Sequence, residues 1–273
     1  MRAQRYFGAA VFLAAALWAA AGCGGSSHEA SGVDGVVSYE LHILDSIPHD
    51  PEAFTQGLLV HDSRLYESTG IVGRTSLREI DLHTGEILRK INVPKIFGEG
   101  LAFFDGKFVQ ITYQDMRAFV YNARDFRFLE EFAYTGEGWG LTFDGESLVM
   151  SDGSENLTFR DPRTFEVRRQ VRVKLCGEPV KDINELEFIG GLVWANVWHQ
   201  NHILMIRPSD GEVVGMIDAS KLLALQPVSS GALNGIAFDP ATGTIYLTGK
   251  NWTRIYRVEL IKIISQSPQN LQK

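Results

Sequence analysis

Residues 233–250 read LNGIAFDPATGTIYLTGK. An alternating apolar run, a turn marked by Asp and Gly, and a second alternating run make a β-hairpin. The same phrase occurs four more times upstream: FTQGLLVHDSRLYES from Phe54, GEGLAFFDGKFVQITY from Gly98, WGLTFDGESLVMSD from Trp139 and NELEFIGGLVWANVW from Asn184. The markers Gly57, Gly100, Gly140, Leu186 and Gly235 return every 40 to 49 residues, the period of four-stranded propeller blades.

A second strand–turn–strand follows most of these phrases, as in SLREIDLHTGEILRKI from Ser76, AFVYNARDFRFLEEF from Ala118 and ILMIRPSDGEVVGMI from Ile203. The last repeat has only TRIYRVEL from Thr253, whereas YELHILDSI from Tyr39 has no partner in its own region. The reading is therefore an all-β chain, a five-bladed β-propeller of four-stranded antiparallel blades, whose ring is closed when the N-terminal strand completes the last blade. Closure leaves only short, protected strand edges.

At 273 residues, 45% hydrophobic and 22% charged, one such ring over residues 38–262 accounts for nearly all of the chain. Ahead of it, Arg2 and Arg5 precede an apolar stretch from Tyr6 to Ala21. That is shorter than the about 20 residues of a membrane span and reads as an export signal over residues 1–22. The small residues before Cys23 resemble a bacterial lipoprotein cleavage box, although Ala20 stands where Leu is usual. Lipidation at Cys23, with a plain secretory signal cleaved nearby as the alternative, a flexible spacer over 23–37 and a polar tail over 263–273 are expected. The chain would then be an exported, monomeric lipoprotein of the cell envelope, held to a membrane by its lipid anchor. In a double-membraned host, Gly24 favours the periplasmic side of the outer membrane.

Loss of the signal removes Arg2 and Arg5 and leaves 24 basic against 33 acidic side chains, a formal charge of −9. Such a surface repels phosphates, which excludes a nucleic-acid partner. With Cys23 acylated, Cys176 is the one other cysteine, and no disulfide framework is expected. The seven histidines are scattered. His199 and His202 are the only close pair and lack a carboxylate or cysteine at ligand spacing, so neither a metal site nor a cofactor is expected.

In a blade the innermost strand and its neighbour are antiparallel, so the start of the first and the end of the second share one face of the ring. First-strand starts carry Phe54 and Gln56, Phe97 and Glu99, Glu137 and Trp139, Asn184 and Glu185, and Asn234. Second-strand ends carry Ser68, Tyr113, Asp152, Trp198 and Lys250. Aromatic walls with a few carboxylates, amides and a lysine describe a pocket for a small polar group. The plainer reading makes Trp139 and Trp198 caps on the core, Gln56 and Asn184 partners of nearby turns, and Lys250 a solvated surface lysine. Glu99 resists it: an acid between two glycines among apolar residues, where its pKa rises.

HDPEAFTQGL from His49, FGEGL from Phe97, GWGLT from Gly138, NELEF from Asn184, ANVW from Ala195, and LNGIAF with LTGKNW near the end resemble the plant-type glutaminyl cyclases (glutamine cyclotransferases), with this chain as a bacterial member. The similarity runs from about Tyr39 to Leu260. It implies a five-bladed propeller, unrelated to the zinc-dependent animal enzymes, that acts on peptides or proteins with N-terminal glutamine. The family's pocket residues fall on Phe54, Gln56, Phe97, Glu99, Trp139, Asn184, Trp198 and Lys250. Tyr113 departs from the tryptophan common at its position. The implied reaction is metal-independent cyclisation of N-terminal glutamine to pyroglutamate with release of ammonia. Glu99 would be the proton shuttle, and Lys250 with Gln56 or Asn184 would receive the developing oxyanion. The competing reading is a non-catalytic propeller lipoprotein that grips a peptide or an envelope partner; a quinone-dependent dehydrogenase is weaker, lacking ligands.

Overall fold

The computed structural model describes residues 35–263. The export signal, Cys23, most of the spacer and almost all of the tail lie outside them. Within them the regular structure is almost entirely strand, with one short helix. β1 (Val37–Pro48) opens the fold. The next twelve strands form three antiparallel four-stranded sheets. The first holds β2 (Thr55–His61), β3 (Arg64–Thr69), β4 (Ser76–Asp81) and β5 (Ile87–Asn92); the second holds β6 (Gly98–Phe104), β7 (Lys107–Thr112), β8 (Arg117–Asn122) and β9 (Phe128–Ala133). The third holds β10 (Leu141–Phe143), β11 (Leu148–Ser151), β12 (Asn156–Arg160) and β13 (Val167–Arg172). A small hairpin, β14 (Lys174–Leu175) and β15 (Glu178–Pro179), leads into β16 (Ile183–Ile189), β17 (Leu192–Val197), β18 (His202–Ile206) and β19 (Val213–Asp218). The helix α1 (Ser220–Ala224) precedes β20 (Leu233–Asp239), β21 (Thr244–Gly249) and β22 (Arg254–Lys262).

The turns explain why the inner hairpins form where the repeat places them. Asp62–Ser63, Asp105–Gly106 and Gly190–Gly191 each have both central residues at positive φ, the two-residue geometry that matches strand twist. β1 pairs antiparallel with β22 from Tyr39↔Lys262 to Pro48↔Arg254, as the unpaired Tyr39 run suggested. It also pairs parallel with β19 from Val37↔Gly215 to Glu40↔Asp218, which was not foreseen. The last two four-stranded units thereby merge into one sheet of eight strands.

The innermost strands touch in the order β2, β6, β10, β16, β20 and back to β2. Apolar clusters fill each gap between neighbours. Leu59 and Tyr66 meet Leu101 and Phe108; Val109 and Ile111 meet Leu148 and Met150; Leu157 and Phe159 meet Val193 and Leu204. Trp194 and Ile203 meet Ile236 and Leu247, and Ala237 and Tyr246 return to Leu58 and Leu65. Inner strands are therefore buried almost throughout, and outermost β5, β9 and β13 carry mostly exposed positions. Each fully buried Leu or Phe contributes about 1.5–3 kcal/mol.

A buried polar clasp reinforces the junction of the first and last sheets. His49 Nδ1 lies 2.9 Å from the Trp252 carbonyl oxygen and Nε2 lies 2.9 Å from Glu67 Oε1, while Arg78 donates to Glu67 at 3.4 Å and to Asp50 at 2.9 Å. Burial pushes the Glu67 carboxyl up, but His49 and Arg78 outweigh it and hold it below its ordinary value. Removing one partner of such a set leaves a buried charge uncompensated, at about 3–5 kcal/mol.

β16 places two more acids along the axis. Glu185 accepts the Leu58 and Ile236 amides at 3.2 and 2.9 Å. Glu187 accepts the Phe238 amide at 3.2 Å and the Thr142 hydroxyl at 3.3 Å, and faces a cavity of about 260 Å³. Burial pushes the Glu187 carboxyl up to about 8 from 4.5. The folded state therefore binds a proton that the unfolded chain releases, and this contribution to stability is lost as pH rises from about 4.5 to about 8. Glu187→Gln keeps the acceptor and cannot ionise. Its melting temperature is expected to match wild type at pH 4 and to exceed it increasingly across that window. Parallel melting curves at all pH values would reject the assignment.

Candidate active site

Phe54, Gln56, Phe97, Glu99, Tyr113, Trp139, Asn184, Trp198 and Lys250 line one cavity of about 210 Å³. All nine side chains anticipated for the pocket are brought together, at the end where the inner strands begin. Its size, below the about 300–1,000 Å³ of sites for drug-sized ligands, suits one side chain.

The inner strands deliver these residues through irregular pairing. The register slips between Thr55 and Gly57 on β2, Gly98 and Leu101 on β6, Ile183 and Leu186 on β16, and Leu233 and Ile236 on β20. Gln56, Glu99, Asn184 and Asn234 all lie within these bulges, which re-aim side chains out of the ladder. The glycines beside Glu99 serve close packing. A Cβ on Gly98 would lie 2.7 Å from Thr75 Cγ2, and one on Gly100 would lie 2.3 Å from the Leu141 nitrogen.

Glu99 is buried, with Oε1 accepting from Gln56 Nε2 at 2.9 Å. Its carbonyl oxygen takes the Ser68 hydroxyl at 2.5 Å, and Ser68 in turn accepts from Gln110 Nε2 at 2.7 Å. Burial drives the Glu99 carboxyl well above its ordinary range, the Lys250 charge opposes this, and Glu137 adds to it. Glu99 therefore holds its proton well above the usual carboxylate range.

Lys250 is also buried, and its ammonium lies 4.9 Å from the centroid of the Phe54 ring. Burial lowers its proton affinity, and Glu99 raises it again. The loop before β20 seats it: Lys250 donates its amide to the Ala232 carbonyl at 2.9 Å, and the Gly231 amide donates to the Lys250 carbonyl at 2.7 Å. Lys250 thus lines the pocket and is not the solvated surface lysine of the plainer reading.

Phe54 meets Phe97 edge-on at 6.0 Å, Phe97 lies 5.8 Å from Tyr113, and Trp139 meets Trp198 at 90° and 5.6 Å. Trp198 is 41% exposed, which makes it a rim residue and not a core cap. Glu137 sits behind the wall, accepting from Trp139 Nε1 at 3.0 Å and from Gln114 Nε2 at 2.8 Å, and it neighbours the Tyr113 hydroxyl.

Some residues expected at this mouth are not part of the lining. Glu185 is turned into the axis onto the Leu58 and Ile236 amides, Asp152 caps the turn at Ser154, and Ser68 and Asn234 stand behind Glu99 and Gln56. Among the described residues no three His, Cys, Asp or Glu side chains are gathered as a metal site.

A buried acid whose proton affinity is raised by burial and a desolvated lysine, sharing a single-residue cavity walled by aromatic rings, define a proton-transfer enzyme site in an all-β scaffold. The sequence model described as glutamine cyclotransferase matches residues 13–260, and the chain belongs to that family. The chain is 38% identical over 243 residues to an Arabidopsis thaliana protein named glutaminyl-peptide cyclotransferase, covering 86% of this chain and 75% of the relative. The crystal structure of Myxococcus xanthus glutaminyl cyclase superposes with a TM-score of 0.80 at 38% identity, covering 84% of this chain and all of that one.

Proposed function

We propose that this protein is a metal-independent glutaminyl-peptide cyclotransferase, converting the N-terminal glutamine of peptides or proteins to pyroglutamate with release of ammonia. The observation that carries the reading is the buried Glu99 carboxyl, its proton affinity raised by burial, placed in one small cavity with Lys250. A surface that only grips peptides has no use for a buried acid of that kind.

The α-amine must attack the γ-carboxamide carbon of the same residue, and one proton must pass from the attacking nitrogen to the departing one. A carboxyl group can do both, with one oxygen donating to the leaving nitrogen while the other accepts from the amine. Phe54, Phe97, Tyr113, Trp139 and Trp198 hold the side chain folded toward ring closure. Lys250, with Asn184, meets the carbonyl oxygen as it gains charge. The alternative amide, Gln56, already gives an N–H to Glu99, which supports placing it with the shuttle. The site thus supplies proton transfer and oxyanion stabilisation from its own side chains.

The scaffold reading is a five-bladed propeller. It is supported by the circuit of inner strands, the apolar cluster in each gap and the antiparallel completion of the last unit by β1. Export and lipidation at Cys23, giving a monomeric envelope protein whose N-terminus is held at the membrane, complete the proposal.

Protein lacking residues 1–23 is expected to release ammonia from a short Gln-initiated peptide at the same rate with and without a metal chelator. Folded protein with no release above the spontaneous rate would support the binding-module reading. Chelator-sensitive release would overturn the metal-independent mechanism alone.

A further inference from the structure

Asn234, in the bulge of β20, is fully buried and lies outside the cavity lining. Its Nδ2 donates to the Thr55 carbonyl oxygen at 2.9 Å and to Gln56 Oε1 at 3.1 Å, and Gln56 Nε2 donates to Glu99 Oε1 at 2.9 Å. A main-chain carbonyl oxygen can only accept. The Thr55 carbonyl therefore fixes which end of the Asn234 amide faces it. The Asn234 amide then fixes Gln56 with its oxygen toward Asn234 and its nitrogen toward Glu99. We infer that Asn234 is a positioning residue for the reaction, which locks the Gln56 amide so that Glu99 receives a hydrogen bond and does not give one.

The consequence is chemical. With an N–H aimed at Oε1, the Glu99 proton is left on Oε2, the oxygen that Gln56 does not engage, free to be given to the leaving nitrogen. With Gln56 reversed, its carbonyl would take that proton as a hydrogen bond and hold it away from substrate. The N–H also favours the ionised carboxylate, so it restrains a proton affinity that burial drives upward. Asn234 thus tunes the shuttle from a neighbouring sheet without touching substrate. This rests on the cyclotransferase reading for its effect on rate, but the effect on Glu99 exists in the resting protein and is measured there.

The test uses Asn234→Asp, which cannot donate from its side-chain oxygens when ionised, and Asn234→Leu, which has similar volume and no charge. The carbonyl stretch of protonated Glu99 is isolated as the infrared difference between each protein and its Glu99→Gln counterpart, and is followed against pH. Both variants are expected to move the Glu99 midpoint upward by about 1 pH unit. They are also expected to lower kcat about 10- to 100-fold, with a smaller change in KM. A shift in Asn234→Asp alone would mean a charge effect, and an unmoved midpoint in both folded variants would mean a purely structural residue; either result overturns the inference. The wild-type protein provides a check that needs no folded variant. The side-chain ¹⁵N–¹H signal of Gln56 should move as Glu99 titrates and stay fixed in Glu99→Gln, and a signal indifferent to that titration also overturns it. Wild-type protein that shows the shift without releasing ammonia would leave the relay intact and remove the proposed activity.

Discussion

Glu99→Gln is expected to lower kcat by about 10²–10⁴-fold, the usual worth of a positioned proton-transfer group, while KM for a Gln-initiated peptide changes little. The substitution keeps the shape and an oxygen to accept the Gln56 N–H, and removes only the ability to exchange a proton. Because the productive complex needs one proton shared between Glu99 and the α-amine, adding a second or removing the first stops turnover. The wild-type rate should therefore be bell-shaped in pH. Loss of rate must be separated from loss of fold, and the direction of the Glu99 shift makes that possible. A carboxyl whose folded pKa is raised contributes stability below its unfolded value and loses it as pH rises through the folded value. The variant should thus melt no lower than wild type at neutral pH, and higher at alkaline pH. Ammonia release measured beside melting temperature decides the matter: a folded Glu99→Gln protein with kcat within a few-fold of wild type would remove Glu99 from the mechanism.

The repeat made much of this architecture legible. Each inner hairpin has local causes, alternation and a turn with residues suited to positive φ, so its position survives in the sequence. The missing strand of the last repeat was visible as an unpaired run at Tyr39, because a sheet one strand short needs a partner from elsewhere. The parallel contact of β1 with β19 left no such trace, since it depends on where two distant edges finally lie. The site was legible for a related reason: Gln56, Glu99, Trp139, Glu185 and Asn234 each stand one residue before a repeat marker, so all share one level of the fold. Which way each points was less so. Strand alternation assigns faces only while pairing is regular, and the bulges at Gln56, Glu99, Asn184–Glu185 and Asn234 break it at the decisive positions. Glu185 consequently points into the axis and Asn234 backs Gln56, although both start inner strands beside lining residues. The His49–Glu67–Arg78 clasp left no sequence signal because its members sit on separate elements, at no motif spacing, and each alone resembles an ordinary surface charge.

Lys250→Met is the complementary test, since it removes the charge opposite the shuttle and keeps the aliphatic stem. If the ammonium receives the developing oxyanion, its loss should cost about 10²–10³-fold in kcat, with KM raised much less because the interaction strengthens only as charge forms. Arginine would be a poor control, as its planar fork cannot occupy the place of a compact ammonium over the Phe54 ring. The fold should tolerate methionine. Burial disfavours the Lys250 charge, so an apolar side chain there recovers that cost, against a cation–π contact worth about 2 kcal/mol at a desolvated site. The same charge holds the Glu99 carboxyl down, so its removal should move the alkaline limb of the rate profile to higher pH. The two groups act in one proton-and-charge transfer, and the double variant Glu99→Gln/Lys250→Met should lose little beyond the worse of the two single changes. Strict multiplication of the two losses would show that they act in separate steps. A Lys250→Met protein with normal kcat and raised KM would make Lys250 a ground-state binding residue and pass the oxyanion to Asn184.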